Sequence, residues 1–170
     1  MIYGTPGESI TDWQTSIDSA LALPITHISA YALIIEEGTK LAAQIKRGEV
    51  PEVDDDLVAD KYLIADKAFK EAGFEWYELS NWSKPGSESK HNLAYWNGDN
   101  WWGAGPGAHS HLNGKRFWNV KHPTAYKERV FTGESPIKDS EVLTDEQRKS
   151  EYIMLAIRMP AGVRKAALTV

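Results

Sequence analysis

Between residues 1 and 79, short apolar runs of strand length alternate with longer segments whose apolar residues recur at helical spacing. That alternation is the pattern of parallel βα units, and it confines the chain to the α/β class. Met1-Ile2-Tyr3-Gly4 runs into the turn Thr5-Pro6-Gly7 as the end of a strand. A helix follows, with Thr11 and Gln14 in capping-box spacing and an apolar stripe of Trp13, Ile17 and Leu21, and Pro24 stops it. His27 to Ile35 reads as one buried strand, closed by Glu36-Glu37-Gly38-Thr39. A second helix starts after Asp54-Asp55-Asp56, carboxylates that suit the positive end of a helix dipole. Val58, Tyr62, Ala65 and Phe69 mark its buried stripe, Gly73 its C′ position, and Phe74 to Leu79 the next strand.

The texture changes after Ser80. Trp82, Trp96, Trp101, Trp102 and Trp118 fall among glycines and prolines with no helical period, which predicts loops and short strands up to Asn119. Asn113-Gly114 between two strand-like tetrapeptides predicts a two-residue hairpin. Two helices follow, one entered through Pro123 and ended by Gly133, the other opened by Thr144 and Gln147 in a capping box and ended by Pro160. The expected organisation is therefore a βα region over 1–79 and a mixed region of loops, hairpin and helices over 80–170.

Composition excludes several classes. The net charge of −5 speaks against a phosphate-tracking surface, so nucleic acid is not an expected partner. No stretch approaches the roughly 20 apolar residues of a membrane helix, and no secretory signal pattern opens the chain, so the expected location is the cytoplasm. The start inside a strand end suggests a portion of a longer protein. The chain has no cysteine, which removes disulfides, a thiol nucleophile and thiolate ligands for zinc or an iron–sulfur cluster.

Ligands of parallel α/β units bind at the carboxyl ends of the strands, which points to the loops at 3–8, 33–39 and from 80 onward. Gly4, Pro6 and Gly7 fit a tight strand-to-helix turn, or a backbone that approaches a cofactor. Gly103-Ala104-Gly105-Pro106-Gly107 lacks the dinucleotide-binding spacing and reads as a kinked strand or bulge. His109 and His111 lie on one face of a strand, as two hydrogen-bonded residues or as a metal pair. His27 and His122 read as structural. His91 begins His91-Asn92-Leu93-Ala94-Tyr95-Trp96, where an imidazole and flat rings suit a haem, and a buried, satisfied histidine is the plainer alternative.

Taken in order, Ile2-Tyr3-Gly4-x-Pro6-Gly7, His27-Ile28-Ser29-Ala30-Tyr31-Ala32-Leu33 with Glu36 and Gly38-Thr39, Tyr77-Glu78-x-Ser80-Asn81, His91-Asn92-x-x-Tyr95-Trp96 and Gly103-x-Gly105-Pro106-Gly107-Ala108-His109-Ser110 resemble one family. It is the HemW branch of the radical SAM proteins, relatives of the oxygen-independent coproporphyrinogen III oxidase HemN. The resemblance implies the later units of a partial (β/α)₆ barrel plus a mixed α/β extension, and S-adenosylmethionine and a [4Fe–4S] cluster in the whole protein. It places Ala32 and His109, with Tyr31 and Gly105, on the S-adenosylmethionine side. It makes His91 the haem-associated residue and a candidate iron ligand, with Asn92, Tyr95 and Trp96 around it, and it implies haem or porphyrin and a haem-acceptor protein as partners. The family's Cys-x₃-Cys-x₂-Cys motif has no counterpart here. The function expected from this set is haem binding and delivery, the alternative within the family being coproporphyrinogen III oxidation. A further alternative is a binding module in which exposed Trp82, Trp101, Trp102 and Trp118 form an aromatic platform.

Overall fold

Ser9, not Thr11, starts the first helix. In the computed structural model, which describes residues 1–165, the Ser9 hydroxyl accepts from the Asp12 N–H and the Asp12 carboxylate accepts from the Ser9 N–H, so the capping box lies two residues earlier than its Thr11/Gln14 expectation. Both pairs have the required three-residue spacing. Asp12 supplies a full negative charge at the helix start, which the amide of Gln14 does not.

The chain divides into two compact units between Glu88 and Ser89. The first contains β1 (Ile2–Tyr3), α1 (Ile10–Leu21), β2 (His27–Ser29), β3 (Tyr31–Ala32), α2 (Lys40–Lys46), α3 (Asp55–Glu71), β4 (Glu75–Glu78) and β5 (Asn81–Ser83). β1 and β3 pair in parallel, with Ile2 opposite Tyr31 and Tyr3 opposite Ala32. The single strand expected over His27 to Ile35 is broken at Ala30, whose N–H leaves the β3 register for the Ser80 carbonyl at 2.9 Å. On one side of the break the chain pairs with β5, on the other with β1. β5, a short strand beyond Leu79, lies between β2 and β4 and runs antiparallel to both, so the strand expected over Phe74 to Leu79 does not pair directly with β2 as successive parallel units would.

Trp13, Ile17, Ile28, Ala65, Phe69, Phe74 and Trp82 form the core of this unit, each side chain of that size contributing about 1.5–3 kcal/mol on burial, Ala65 less. Both buried indoles keep their polar edge satisfied, Trp13 Nε1 donating to the Lys61 carbonyl at 2.9 Å and Trp82 Nε1 to the Asp66 carboxylate at 3.0 Å. Trp82 is 0% exposed and packs edge-on against Phe69, so it cannot belong to a displayed platform, and the aromatic-platform reading loses one of its four members.

The second unit contains α4 (Lys90–Trp96), β6 (His109–Leu112), β7 (Lys115–Asn119), α5 (Pro123–Thr132), β8 (Ile137–Val142) and α6 (Asp145–Ala156). β6, β7 and β8 form an antiparallel sheet in that order. Its first turn is the Asn113-Gly114 hairpin, with both residues at positive φ, and Gly133 ends α5 in the left-handed conformation. Thr144 and Gln147 make the capping box of α6, which closes at Ala156, before Pro160. The tryptophan-rich stretch read as loops and short strands holds a helix, α4, and the motif His91 to Trp96 lies on it.

Candidate functional site

In the first unit, the loop after β1 is fixed from beneath. The Glu8 carboxylate accepts from the Gly4 N–H at 2.8 Å and from the Lys61 ammonium at 2.7 Å, and Lys61 Nζ also donates to the Glu8 carbonyl at 2.7 Å. Lys61 sits in the middle of α3 with its side chain almost wholly out of water, so an apolar-stripe reading of that helix passes over it. A buried charge is tolerated only when paired and hydrogen-bonded, as here. Gly4 adopts φ +77°, and a Cβ on it would stand 2.8 Å from Val58 Cγ2. Close packing on α3 therefore accounts for Gly4, in favour of the tight-turn reading. A small cavity of about 210 Å³ lies along this loop, lined by Gly4, Pro6, Glu8, Val58 and Lys61 among others.

Tyr31 and Ala32 stand at the carboxyl end of β3. The Tyr31 ring is half exposed, and its hydroxyl accepts from Asn81 Nδ2 at 3.5 Å. Asn81 is buried and joins Ser29 and the buried Glu78 in one hydrogen-bonded group at the β4–β5 turn. His27, expected to be structural, bonds Tyr77 across the sheet at 2.7 Å, and burial lowers its pKa below the ordinary imidazole value. Burial also raises the phenol pKa of Tyr3, with a smaller contribution from Tyr62.

In the second unit, the glycine segment Gly103–Gly107 is stitched to the sheet. Gly103 N–H donates to the Ser110 hydroxyl at 2.9 Å, Gly105 N–H to the Tyr126 hydroxyl at 3.3 Å and Gly107 N–H to the Val120 carbonyl at 2.9 Å, while buried Asn119 donates to the Gly105 carbonyl at 2.9 Å. Those amides are spent inside the protein, which removes a phosphate cradle and agrees with the kinked-strand reading. A Cβ at Gly103 would collide with the backbone carbonyl of His109. His109 is exposed and stacks on Trp118, ring centroids 5.5 Å apart and planes at 24°.

His91 lies in the first turn of α4 and is exposed, so the buried, satisfied alternative does not hold. Tyr95, one turn on, meets it edge-on at 4.8 Å. The contacts continue from Tyr95 to Trp101 at 4.9 Å and from Trp101 to His111 at 4.8 Å. Trp96 faces elsewhere, lining a cavity of about 290 Å³ that His111, Arg148 and Tyr152 also line. Asn92 is half-buried in the same helix. His109 and His111 thus engage different rings and do not form the metal pair considered above. Among the described residues no three His, Asp or Glu side chains gather as a metal site, and no helix is long and apolar enough to cross a membrane. No sequence signal marks Lys61, and none marks the contact between Trp101 and His111.

Comparison with known proteins defines the class. The fold matches that of the Escherichia coli coproporphyrinogen III oxidase HemN, a radical SAM enzyme, with a TM-score of 0.72 at 16% identity over 93% of this chain and 39% of that one. The chain therefore has the mixed α/β fold of a radical SAM protein. No protein-family model matches it. It is 46% identical over 168 residues to the heme chaperone HemW of Mycobacterium tuberculosis (strain H37Rv), covering 99% of this chain and 43% of that protein. With HemW of Bacillus subtilis (strain 168) it shares 33% identity over 165 residues, 97% of this chain and 44% of the other. The chain is HemW-like, and it spans about two fifths of the length of the curated relatives it matches.

Proposed function

We propose that this chain is the haem-holding part of a HemW-like protein that binds haem and passes it to a haem-requiring acceptor protein. The observation that carries this is His91: an exposed imidazole on α4 with the Tyr95 ring against its edge, in a chain 46% identical to a protein named heme chaperone. An accessible imidazole can ligate haem iron, and flat rings beside it suit a porphyrin face. Asn92, Tyr95 and Trp96 share the helix and complete the motif. An exposed position favours release to a partner over permanent retention.

Tyr31 and Ala32 are proposed to face S-adenosylmethionine from within the first unit, and Gly105 and His109, taken by themselves in the second unit, are proposed for the same role. Ala32, at the carboxyl end of a parallel strand, is small enough to admit a ligand there, and the exposed, stacked ring of His109 offers a flat surface. The iron–sulfur cluster does not fit the residues of this chain, which offers no thiolate. No reductive step is therefore assigned to it.

The test is a haemin titration of the chain and of His91→Ala, followed by Soret absorbance and tryptophan quenching. Saturable binding that weakens about tenfold or more in the variant supports the reading, since loss of an iron ligand is at least as costly as loss of its supporting contacts. Equal binding by both proteins removes His91 from the site.

A further inference from the structure

Trp101 lies beyond the hexapeptide, and nothing in the sequence separates it from Trp102 beside it. The structure does separate them. Trp102 is 68% exposed and meets Phe117. Trp101 is half-buried, and its stretch of chain is tied to the β6–β7 hairpin before, at and after the indole. At Asn100, the side-chain oxygen accepts from the Asn113 N–H at 2.7 Å and the side-chain nitrogen donates to the Asn113 side-chain oxygen at 2.9 Å. At Trp101 itself, the backbone forms a two-way bridge with His111, His111 N–H to the Trp101 carbonyl at 3.0 Å and Trp101 N–H to the His111 carbonyl at 2.9 Å. At Gly103, the N–H donates to the Ser110 hydroxyl at 2.9 Å.

The helix that bears the hexapeptide has less to hold its side chains. α4 is seven residues long with none of them buried, and a helix so short is marginal without outside contacts. His91 and Tyr95 are both exposed, and exposed side chains change rotamer within nanoseconds. The Tyr95 ring meets His91 at 4.8 Å and Trp101 at 4.9 Å. His91 belongs to α4 itself, so the anchor that this ring has outside the helix is Trp101. The anchor is firm, because the Trp101 ring also meets the His111 ring, 4.8 Å away on the strand to which its backbone is bonded.

We propose that Trp101 is a positioning residue of the haem site: it holds the Tyr95 ring, and through that ring it keeps the His91 imidazole in place before iron arrives. Side chains ordered in advance lose less freedom on binding, which strengthens the complex without any new contact to the ligand. This rests on the haem reading of His91 and extends the site from the hexapeptide to a wall fixed on the β6–β7 hairpin.

The experiment titrates haemin into the full chain and its variants, with Soret absorbance as the readout. Trp101→Leu should bind about two- to tenfold more weakly than the parent, the cost of ordering one or two side chains at binding. Trp101→Phe, which keeps a flat ring beside Tyr95, should recover most of that loss, and Trp102→Leu should match the parent. A residue that acts through His91 adds nothing once His91 is gone, so Trp101→Leu combined with His91→Ala should bind as His91→Ala does. Without haemin, proton nuclear magnetic resonance reads the same link: Trp101→Leu and Tyr95→Leu should shift the His91 ring protons alike. Tyr95→Leu cuts the link at an exposed position and serves in both measurements if Trp101→Leu fails to fold. Unmoved His91 protons, parental affinity in Trp101→Leu, or a further loss in the double variant overturns the inference and leaves the haem reading intact. A parent that binds no haemin, or His91→Ala that binds it as the parent does, overturns both.

Discussion

The two units use tryptophan in opposite ways. In the first, Trp13 and Trp82 are 1% and 0% exposed with each indole nitrogen paired within the protein, while Trp76 is half-buried and its Nε1 is out of water without a partner. In the second, Trp96, Trp101, Trp102 and Trp118 are half-buried or exposed, and their rings meet histidines, a tyrosine and a phenylalanine, or line cavities. The first unit spends its aromatic surface on cohesion. The second keeps much of it at the surface, beside imidazoles, where a flat ligand would find it. An aromatic-rich composition is thus compatible with both roles, and the exposure of each ring tells them apart.

The sharpest way to break this contrast is to remove one ring from each unit. Trp82→Ala should lower stability by about 3–5 kcal/mol, as expected for a fully buried indole, whereas Trp102→Ala, at a ring 68% exposed that meets Phe117 edge-to-face, should cost about 0.5 kcal/mol or less. Urea unfolding of the two variants gives both numbers, and equal losses would erase the distinction. A smaller effect is expected at Gly103, where the second unit depends on close backbone approach. Gly103→Ala should cost about 1–3 kcal/mol through overpacking against the His109 carbonyl. Amide chemical shifts at His109 and Ser110 should move with it, and an unshifted spectrum at parental stability would show that the segment has slack.

The smallest effect is a pH dependence confined to the first unit. Burial holds the folded pKa of His27 below the imidazole reference of 6.5, so the unfolded chain takes up a proton more readily than the folded one. The stability it contributes is complete above about pH 6.5 and is lost as pH falls from there through the lower folded value. Urea midpoints measured between pH 7.5 and pH 5 should fall for the parent more steeply than for His27→Gln. Parallel curves would return His27 to an ordinary solvated environment.

Elements with strong local chemistry were legible in the sequence: the Asn113-Gly114 hairpin, the Thr144/Gln147 capping box, the acidic start of α3 at Asp54-Asp55-Asp56, and the ends at Gly73 and Gly133. Three kinds of feature were not. The α4 helix is seven residues long, too short to show a period among surrounding glycines and tryptophans. β5 has three residues, and its insertion between β2 and β4 is decided by tertiary pairing. Lys61 reads as a surface cation until Glu8 is seen beside it. For the candidate site, the hexapeptide points to His91, whereas the His111 ring meets a main-chain carbonyl, that of Asp99, which no residue type announces.

Lys61 has a chemical consequence of its own. An ammonium shut away from water under the loop after β1 is out of reach of acylating reagents while that loop is seated. Its labelling rate therefore counts openings of the first unit, a clock that the chain carries without any added probe.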